Sequence, residues 1–404
     1  MKIGIVTTWF ERGAAYISKQ YQSILENDNE IFIYVRGGEE KAINNKNWDH
    51  SNVHWGKSYI MPVSPTYIDK KDFKNWLLRN KIDVVFFNEQ NWWSSVIICK
   101  ELDIKVGAHI DYYTKDTIGL FKAYDFLICN TKRHVSVFDW HKQNFYVPWG
   151  TNIDIFKFSS NENEIITFFH SCGMSPYRKG TDILINTVSK LADKYKFKLI
   201  IHSQVNIEDL FPHLRETITK LKSKGFLEVI SKTVSAPGLF HLGDVYVYPS
   251  RLDGIGLTIA EAQSCGLPVI TTNEPPMNEQ LTFHCKTVDV KEKFKREDGY
   301  YWDLAEVDEQ SLYDQMLYFI NLEKDKMGEL KKITRIEAEK KFDWSRRKDL
   351  VNEIFNGSKK MKLDKSTINK IYQYDNSVYP MVTNFPKFYR YLYRFYLSLK
   401  KFLK

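Results

Sequence analysis

Short apolar runs recur along this chain at intervals filled by polar stretches of helix length. KIGIVTT (2–8) and EIFIYV (30–35) are continuous β-rich runs, and residues 14–25 between them place apolar side chains at helical spacing, so the chain opens as β-α-β. Runs at 84–87, 105–109 and 126–130 continue the series. Strands apolar on both faces with helices between them predict parallel sheets covered on both sides. At VPWGTNIDIF (147–156) a Pro and a Gly interrupt the pattern, and a new run at 165–169 opens a second series through 198–202, 227–231, 245–248 and 268–271. The expected organisation is α/β, with doubly wound domains at 1–152 and 153–340. A charged helix at 341–357 is expected to cross back to the first domain, ahead of an extension at 358–404.

Composition agrees with a folded body. Hydrophobic residues make up 43% of the 404 positions and aromatics 15%, enough for two cores. Five cysteines, far apart and without a C-x-x-C pair, indicate neither a disulfide framework nor a zinc site and fit a reducing cytoplasm. The opening MKIGIVTTWFERG has no signal-peptide pattern, and no apolar run approaches the roughly 20 residues that span a bilayer. The net charge of +8 is unevenly distributed. Residues 358–404 hold eleven Lys/Arg and two Asp, a net of +9, leaving 47 Lys/Arg against 48 Asp/Glu, or −1, for the first 357. A nucleic-acid-binding face is not predicted, since it needs a basic stripe on the folded body.

The most informative stretch is VYPSRLDGIGLTIAEAQSCGLPVITTNEPPMNE (247–279), read as strand, Gly-containing loop, helix and strand. Gly254 and Gly256 permit close backbone approach to a ligand, and the amides that open the following helix favour a phosphate. Asp253 in the loop and Glu261 in the helix place two carboxylates where they can grip hydroxyls at separate points of one ligand. Alone, such a pair reads as a helix-terminus charge and a surface Glu. A second stretch, SCGMSPYRKGTDILI (171–185), sets Arg178 and Lys179 at a helix start, where two cations can face a departing diphosphate. No D-x-D and no His/Cys cluster suggests a metal.

Together these segments resemble glycosyltransferase family 4, the retaining GT-B enzymes that use nucleotide sugars. The family's E-G-F-G-L-x-x-x-E-A-x-x-x-G-x-P-V stands here as D-G-I-G-L-T-I-A-E-A-Q-S-C-G-L-P-V, with Asp253 in place of Glu. Residues 173–180 look like the family's G-R-x-x-P-x-K-G stretch, with Met174 at the Arg position and Lys179 on the diphosphate-binding Lys. VPWGTNIDIF is similar to the interdomain linker, and HLGDVYVYPS to the A-D-x-x-x-x-P-S strand. The resemblance spans about residues 1–355, densest over 147–279. It implies a GT-B fold of two Rossmann-like domains facing across a cleft, with transfer from a nucleoside diphosphate sugar to an acceptor hydroxyl. Asp253 would contact the sugar, Glu261 the ribose, the Gly256, Leu257 and Thr258 backbone and Gly254 the donor, and Lys179 with Arg178 the diphosphate. No metal or other cofactor is implied.

In the first domain, Gly13 falls where the family has a glycine-rich turn near the donor phosphates. His109 and Asp111 end one strand and Glu89 another, the strand ends at which open α/β sheets bind ligands. His109 is the expected contact beside the reacting sugar, catalytic with Asp253 and Lys179. Glu89, Asp111 and Trp92 are acceptor-side candidates, Trp92 and Trp93 as stacking platforms or as core. A sugar-nucleotide epimerase and a sugar-nucleotide-binding scaffold are the rival functions.

Between Phe385 and Lys404 no acidic residue occurs. On a helix, Phe388, Leu392, Phe395, Leu399 and Phe402 fall within about 40° of one line, while Lys387, Arg390, Arg394 and Lys401 lie opposite. That pattern predicts a helix lying in an anionic membrane surface, with docking on the protein's own first domain as the alternative. The expected location is the cytoplasmic face of the cell membrane, and the expected acceptor a glycan, glycolipid or polymer.

Overall fold

The computed structural model describes residues 1–36, 41–57, 66–160, 163–378, 380 and 391. The chain forms two compact units: Met1–Asn130 with His134–Val147 and the return from Arg347, and Thr131–Arg133 with Pro148–Arg346. The divisions fall at Val147/Pro148 and Arg346/Arg347.

The first unit is built on seven parallel strands: β1 (Lys2–Thr7), β2 (Glu30–Val35), β3 (Val53–Trp55), β4 (Val84–Asn88), β5 (Lys105–Ile110), β6 (Phe126–Cys129) and β7 (Asn144–Tyr146). Their order is β3-β2-β1-β4-β5-β6-β7. All five residues of β4 are buried, as the continuous VVFFN run requires of a strand covered on both faces. Helix Gly13–Leu25 buries Ala14, Ile17, Tyr21 and Ile24, one stripe at three- and four-residue spacing.

The C-terminal return completes this unit. Helix Lys348–Gly357 buries Val351, Ile354 and Phe355 and packs on helix Gly13–Leu25. Helix Lys365–Val378, in the segment read as an extension, lies against helix Ser94–Glu101 with Ile371 and Asp375 fully buried. The apolar line from Phe388 to Phe402 lies outside the described residues. No described helix is long and apolar enough to cross a membrane.

The second unit repeats the plan with β8 (Thr167–Gly173), β9 (Lys198–Ser203), β10 (Leu227–Ser231), β11 (Val245–Tyr248), β12 (Val269–Thr272) and β13 (Lys286–Val288). They run parallel in the order β10-β9-β8-β11-β12-β13. Alternate residues feed two cores. Phe168, Leu199, Ile201, Val245 and Val247 pack with helix Thr181–Ala192, and Phe169, Ile200, Tyr246 and Tyr248 with helix Leu257–Ser264. An antiparallel pair, β14 (Val290–Phe294) and β15 (Leu304–Val307), follows the sheet.

In both sheets the chain works outward from a central strand in one direction and then in the other. The switch lies between β1 and β4 in the first unit and between β8 and β11 in the second. Loops leaving neighbouring strands there turn to opposite faces, which opens a crevice at the carboxyl edge.

Candidate donor site

At the switch of the second unit, the β8–β11 ladder pairs Val245 with Phe168 and Tyr246 with Phe169 and then stops. His170, the next residue, fills the opening. Its Nδ1 donates to the Val247 carbonyl at 2.8 Å, and its Nε2, 2.8 Å away, accepts from the Thr181 hydroxyl. Burial holds this ring neutral, with its pKa down at about 4. Sequence reading missed His170 because a His inside an apolar strand carries no pattern of its own.

The loop after β8 runs to Gly180, and that after β11 to Gly256; each glycine has a left-handed backbone and immediately precedes a helix. At Gly180 a Cβ would lie 2.1 Å from the Pro249 carbonyl oxygen, so only glycine lets the two loops touch. Their contact assembles four side chains. Asp253 Oδ2 lies 2.6 Å from Lys179 Nζ and Oδ1 3.2 Å from Arg178 Nη1. The Tyr248 hydroxyl, rising from the end of β11, contacts both Lys179 and Asp253. Arg178 also donates to the Leu252 carbonyl at 2.7 Å.

Electrostatics sort these groups. Burial opposes the charge on Asp253, but Lys179 and Arg178 outweigh it and hold the carboxyl at about 2. Burial and then the neighbouring Arg178 bring Lys179 down to about 8, against the pull of Asp253. The cluster thus carries two cations on one carboxylate, an excess suited to an anion. Met174 is 73% exposed, and Arg178 provides the second cation from the same loop.

Helix Leu257–Ser264 begins without a side-chain cap and without an acidic residue in its first turn. The opening amides, those of Leu257 and Thr258, are therefore available to a phosphate. The Thr258 and Tyr246 hydroxyls are buried beside each other. One turn on, Glu261 is half-buried with no ion-pair partner among the described residues. Burial alone pushes its carboxyl up to about 7. The negative charges of Glu261 and Asp253 both act on Tyr246, whose pKa is raised first by burial. Gly254 follows Asp253 in the same loop.

In the first unit, Gly13 and Glu89 follow the two strands of the β1/β4 switch, and His109 and Asp111 lie at the end of β5. Glu89, directly after β4, has φ +53, a left-handed backbone unusual for a non-glycine residue. Buried Arg36 donates to the Asn88 carbonyl at 3.3 Å and to that of Glu89. The Glu89 carboxylate faces Arg12 at 3.5 Å, just ahead of Gly13, which begins an uncapped helix. His109, near the end of β5, is buried. Its Nδ1 is 3.1 Å from Asn88 Oδ1, and burial, partly offset by a side-chain hydrogen bond with Asn130, lowers its pKa to about 4. Asp111 follows β5 and is half-buried.

Trp92 does not offer a stacking face. It is 1% exposed, packed edge-on against Tyr67, and the neighbouring Trp93 is fully buried against Phe121. A pair of large apolar rings opening a helix is satisfied most fully by the core, and both tryptophans go there.

Residues 165–295, which hold β8 to β14 and the cluster of Lys179, Arg178, Tyr248 and Asp253, match a family model described as glycosyl transferases group 1. The O-antigen biosynthesis glycosyltransferase WclY of Escherichia coli is 30% identical over 128 residues, covering 30% of this chain. The chain spans about a third of the length of the curated relatives it matches. Among solved structures, Anabaena Alr3699/HepE in complex with UDP and glucose aligns with a TM-score of 0.68 at 15% identity, over 88% of this chain and 100% of that one. Sucrose-phosphate synthase from Thermosynechococcus elongatus aligns with a TM-score of 0.68 at 13% identity, over 88% and 98%. The fold is therefore the GT-B type, a pair of parallel-sheet Rossmann-like units.

Proposed function

We propose that this protein is a retaining glycosyltransferase that moves a sugar from a nucleoside diphosphate donor to a hydroxyl of a glycan, glycolipid or polymer acceptor. The observation that carries the reading is the cluster of Lys179, Arg178, Asp253 and Tyr248 at the switch of the second sheet, beside the uncapped helix at Gly256. When a glycosidic bond to a diphosphate breaks, negative charge grows on the leaving oxygens. Preorganised cations and amides at that point stabilise the transition state more than the ground state. Lys179, Arg178 and the Leu257 and Thr258 amides take that role. Asp253 holds hydroxyls of the transferred sugar, and Glu261 holds the ribose.

On the acceptor side the residues are Glu89, His109 and Asp111 of the first unit. The neutral His109 imidazole is a hydrogen-bonding group and not a counter-charge. No protein base is assigned: the departing phosphate takes the acceptor proton in this account. The similarity to WclY, whose name refers to O-antigen biosynthesis, supports a glycan acceptor. The cations between Phe385 and Lys404 support work at an anionic membrane surface on its cytoplasmic side.

A thermal-shift screen of nucleotide sugars tests the donor reading. One class should raise the unfolding temperature of the parent at modest concentration, because a ligand that binds only the folded state stabilises it by mass action. No shift with any uridine, adenosine or guanosine diphosphate sugar would contradict it. For the membrane, the full chain should sediment with anionic phosphatidylglycerol vesicles while a chain ending at Val378 stays in solution. Equal sedimentation removes the tail from the account.

A further inference from the structure

We infer that Arg251 is a positioning residue that keeps the diphosphate-facing and sugar-facing loops of the second unit in register; this deepens the donor-binding reading and rests on it. The Arg251 side chain is 4% exposed. Its Nη1 and Nη2 donate to the two oxygens of Asp182 at 2.8 and 2.9 Å. Its Nε and Nη2 donate to those of Glu306 at 2.5 and 2.8 Å, and Nη1 also reaches the Tyr177 carbonyl. These contacts use all five guanidinium N–H donors.

Three segments converge on this one group. Asp182 lies in the first turn of helix Thr181–Ala192, two residues beyond Gly180. Tyr177 precedes the two cations, and its ring lies under the guanidinium at 4.2 Å. Glu306 belongs to β15, outside the parallel sheet. The Arg251 backbone adds two further ties: its N–H donates to the Arg178 carbonyl at 2.8 Å, and its carbonyl accepts from the Ala305 amide at 2.8 Å. Asp253 is only two residues away. A shift of the 177–182 segment relative to Arg251 therefore displaces Lys179 and Arg178 from Asp253.

Arginine is required by geometry. Lysine presents one point charge with three donors and cannot make two forked carboxylate contacts at once. One cation also faces two carboxylates, so removing it leaves both half-buried acids uncompensated and endangers folding. The informative variants are consequently Asp182→Asn and Glu306→Gln, each of which removes one carboxylate charge and leaves Arg251 in place, with Arg251→Lys as the third.

The test is calorimetric titration of the full-length parent and the three variants with UDP, ADP and GDP, well below each unfolding midpoint. Uridine, adenosine and guanosine are measured by competition. For whichever diphosphate binds the parent, each variant should lose about tenfold in affinity while nucleoside affinity stays within about twofold. That ratio separates register from stability, since a merely structural residue lowers the unfolding temperature without altering what the folded fraction prefers. Folded variants with the parent's diphosphate affinity, or an equal loss for nucleoside and diphosphate, overturn the inference. A parent that binds none of the three diphosphates removes the donor reading itself, and the role of Arg251 falls with it.

Discussion

Lys179 and Asp253 form an ion pair at 2.6 Å with side-chain exposures of 12% and 13%. The two residues come from loops 74 positions apart in sequence. Pairing at that depth offsets the desolvation of both charges only while both partners are present. Asp253→Asn should thus cost about 3–5 kcal/mol of unfolding free energy at neutral pH, measured by urea denaturation. The sign with pH follows from the lowered carboxyl: its contribution is complete above the ordinary value of about 4 and is lost as pH falls through about 2. Parent and variant should converge near pH 2.

Glu261 predicts the opposite slope. Its carboxyl is raised to about 7 by burial, so the folded state favours the protonated form. That contribution is complete below the unfolded value of about 4.3 and is lost as pH rises through about 7. Glu261→Gln should therefore gain stability relative to the parent between pH 5 and pH 8, read as a growing difference in unfolding temperature. A constant difference across that range would contradict the assignment.

The architecture was legible in the sequence where one physical requirement dominated. Fully buried parallel strands must be apolar throughout, and VVFFN or VYVY could be nothing else. The two loops that meet at Lys179 and Asp253 were legible through Gly180 and Gly256, because positive φ and close backbone approach leave glycine as the workable residue. Tyr248 was not: an aromatic in a strand reads as core, and only the outward reach of its hydroxyl gives it a polar task. Arg251 and Asp182 lie 69 residues apart and carry no shared local signal. Trp92 failed for the converse reason, since an aromatic beside a strand end has the same sequence signature whether it faces a sugar or the core.

His170 and Thr181 tie the splayed end of β8 to the helix that follows it. Thr181→Val should leave the buried imidazole nitrogen without its donor and cost about 1–3 kcal/mol. In the parent, the depressed His170 pKa adds stability that is full above about 6.5 and lost as pH falls through about 4. Unfolding midpoints between pH 7 and pH 4 measure both effects.

Asp375 caps the helix Ser94–Glu101 from a distant part of the chain. It accepts from the Ser94 amide at 2.7 Å, the Ser94 hydroxyl at 2.6 Å and the Trp93 amide at 3.1 Å. Asp375→Ala should cost about 1–2 kcal/mol, in the range of a strong helix cap. Amide exchange should then accelerate in both Ser94–Glu101 and Lys365–Val378. Unchanged exchange in the first of these helices would show that the cap is not holding it.

The most direct test of the donor site is isothermal titration of the parent and Lys179→Ala with nucleoside diphosphates. Loss of a charge-assisted contact to phosphate predicts at least about a tenfold weaker binding in the variant. Its circular dichroism should be unchanged. A folded Lys179→Ala chain that binds the diphosphate as tightly as the parent would contradict the account.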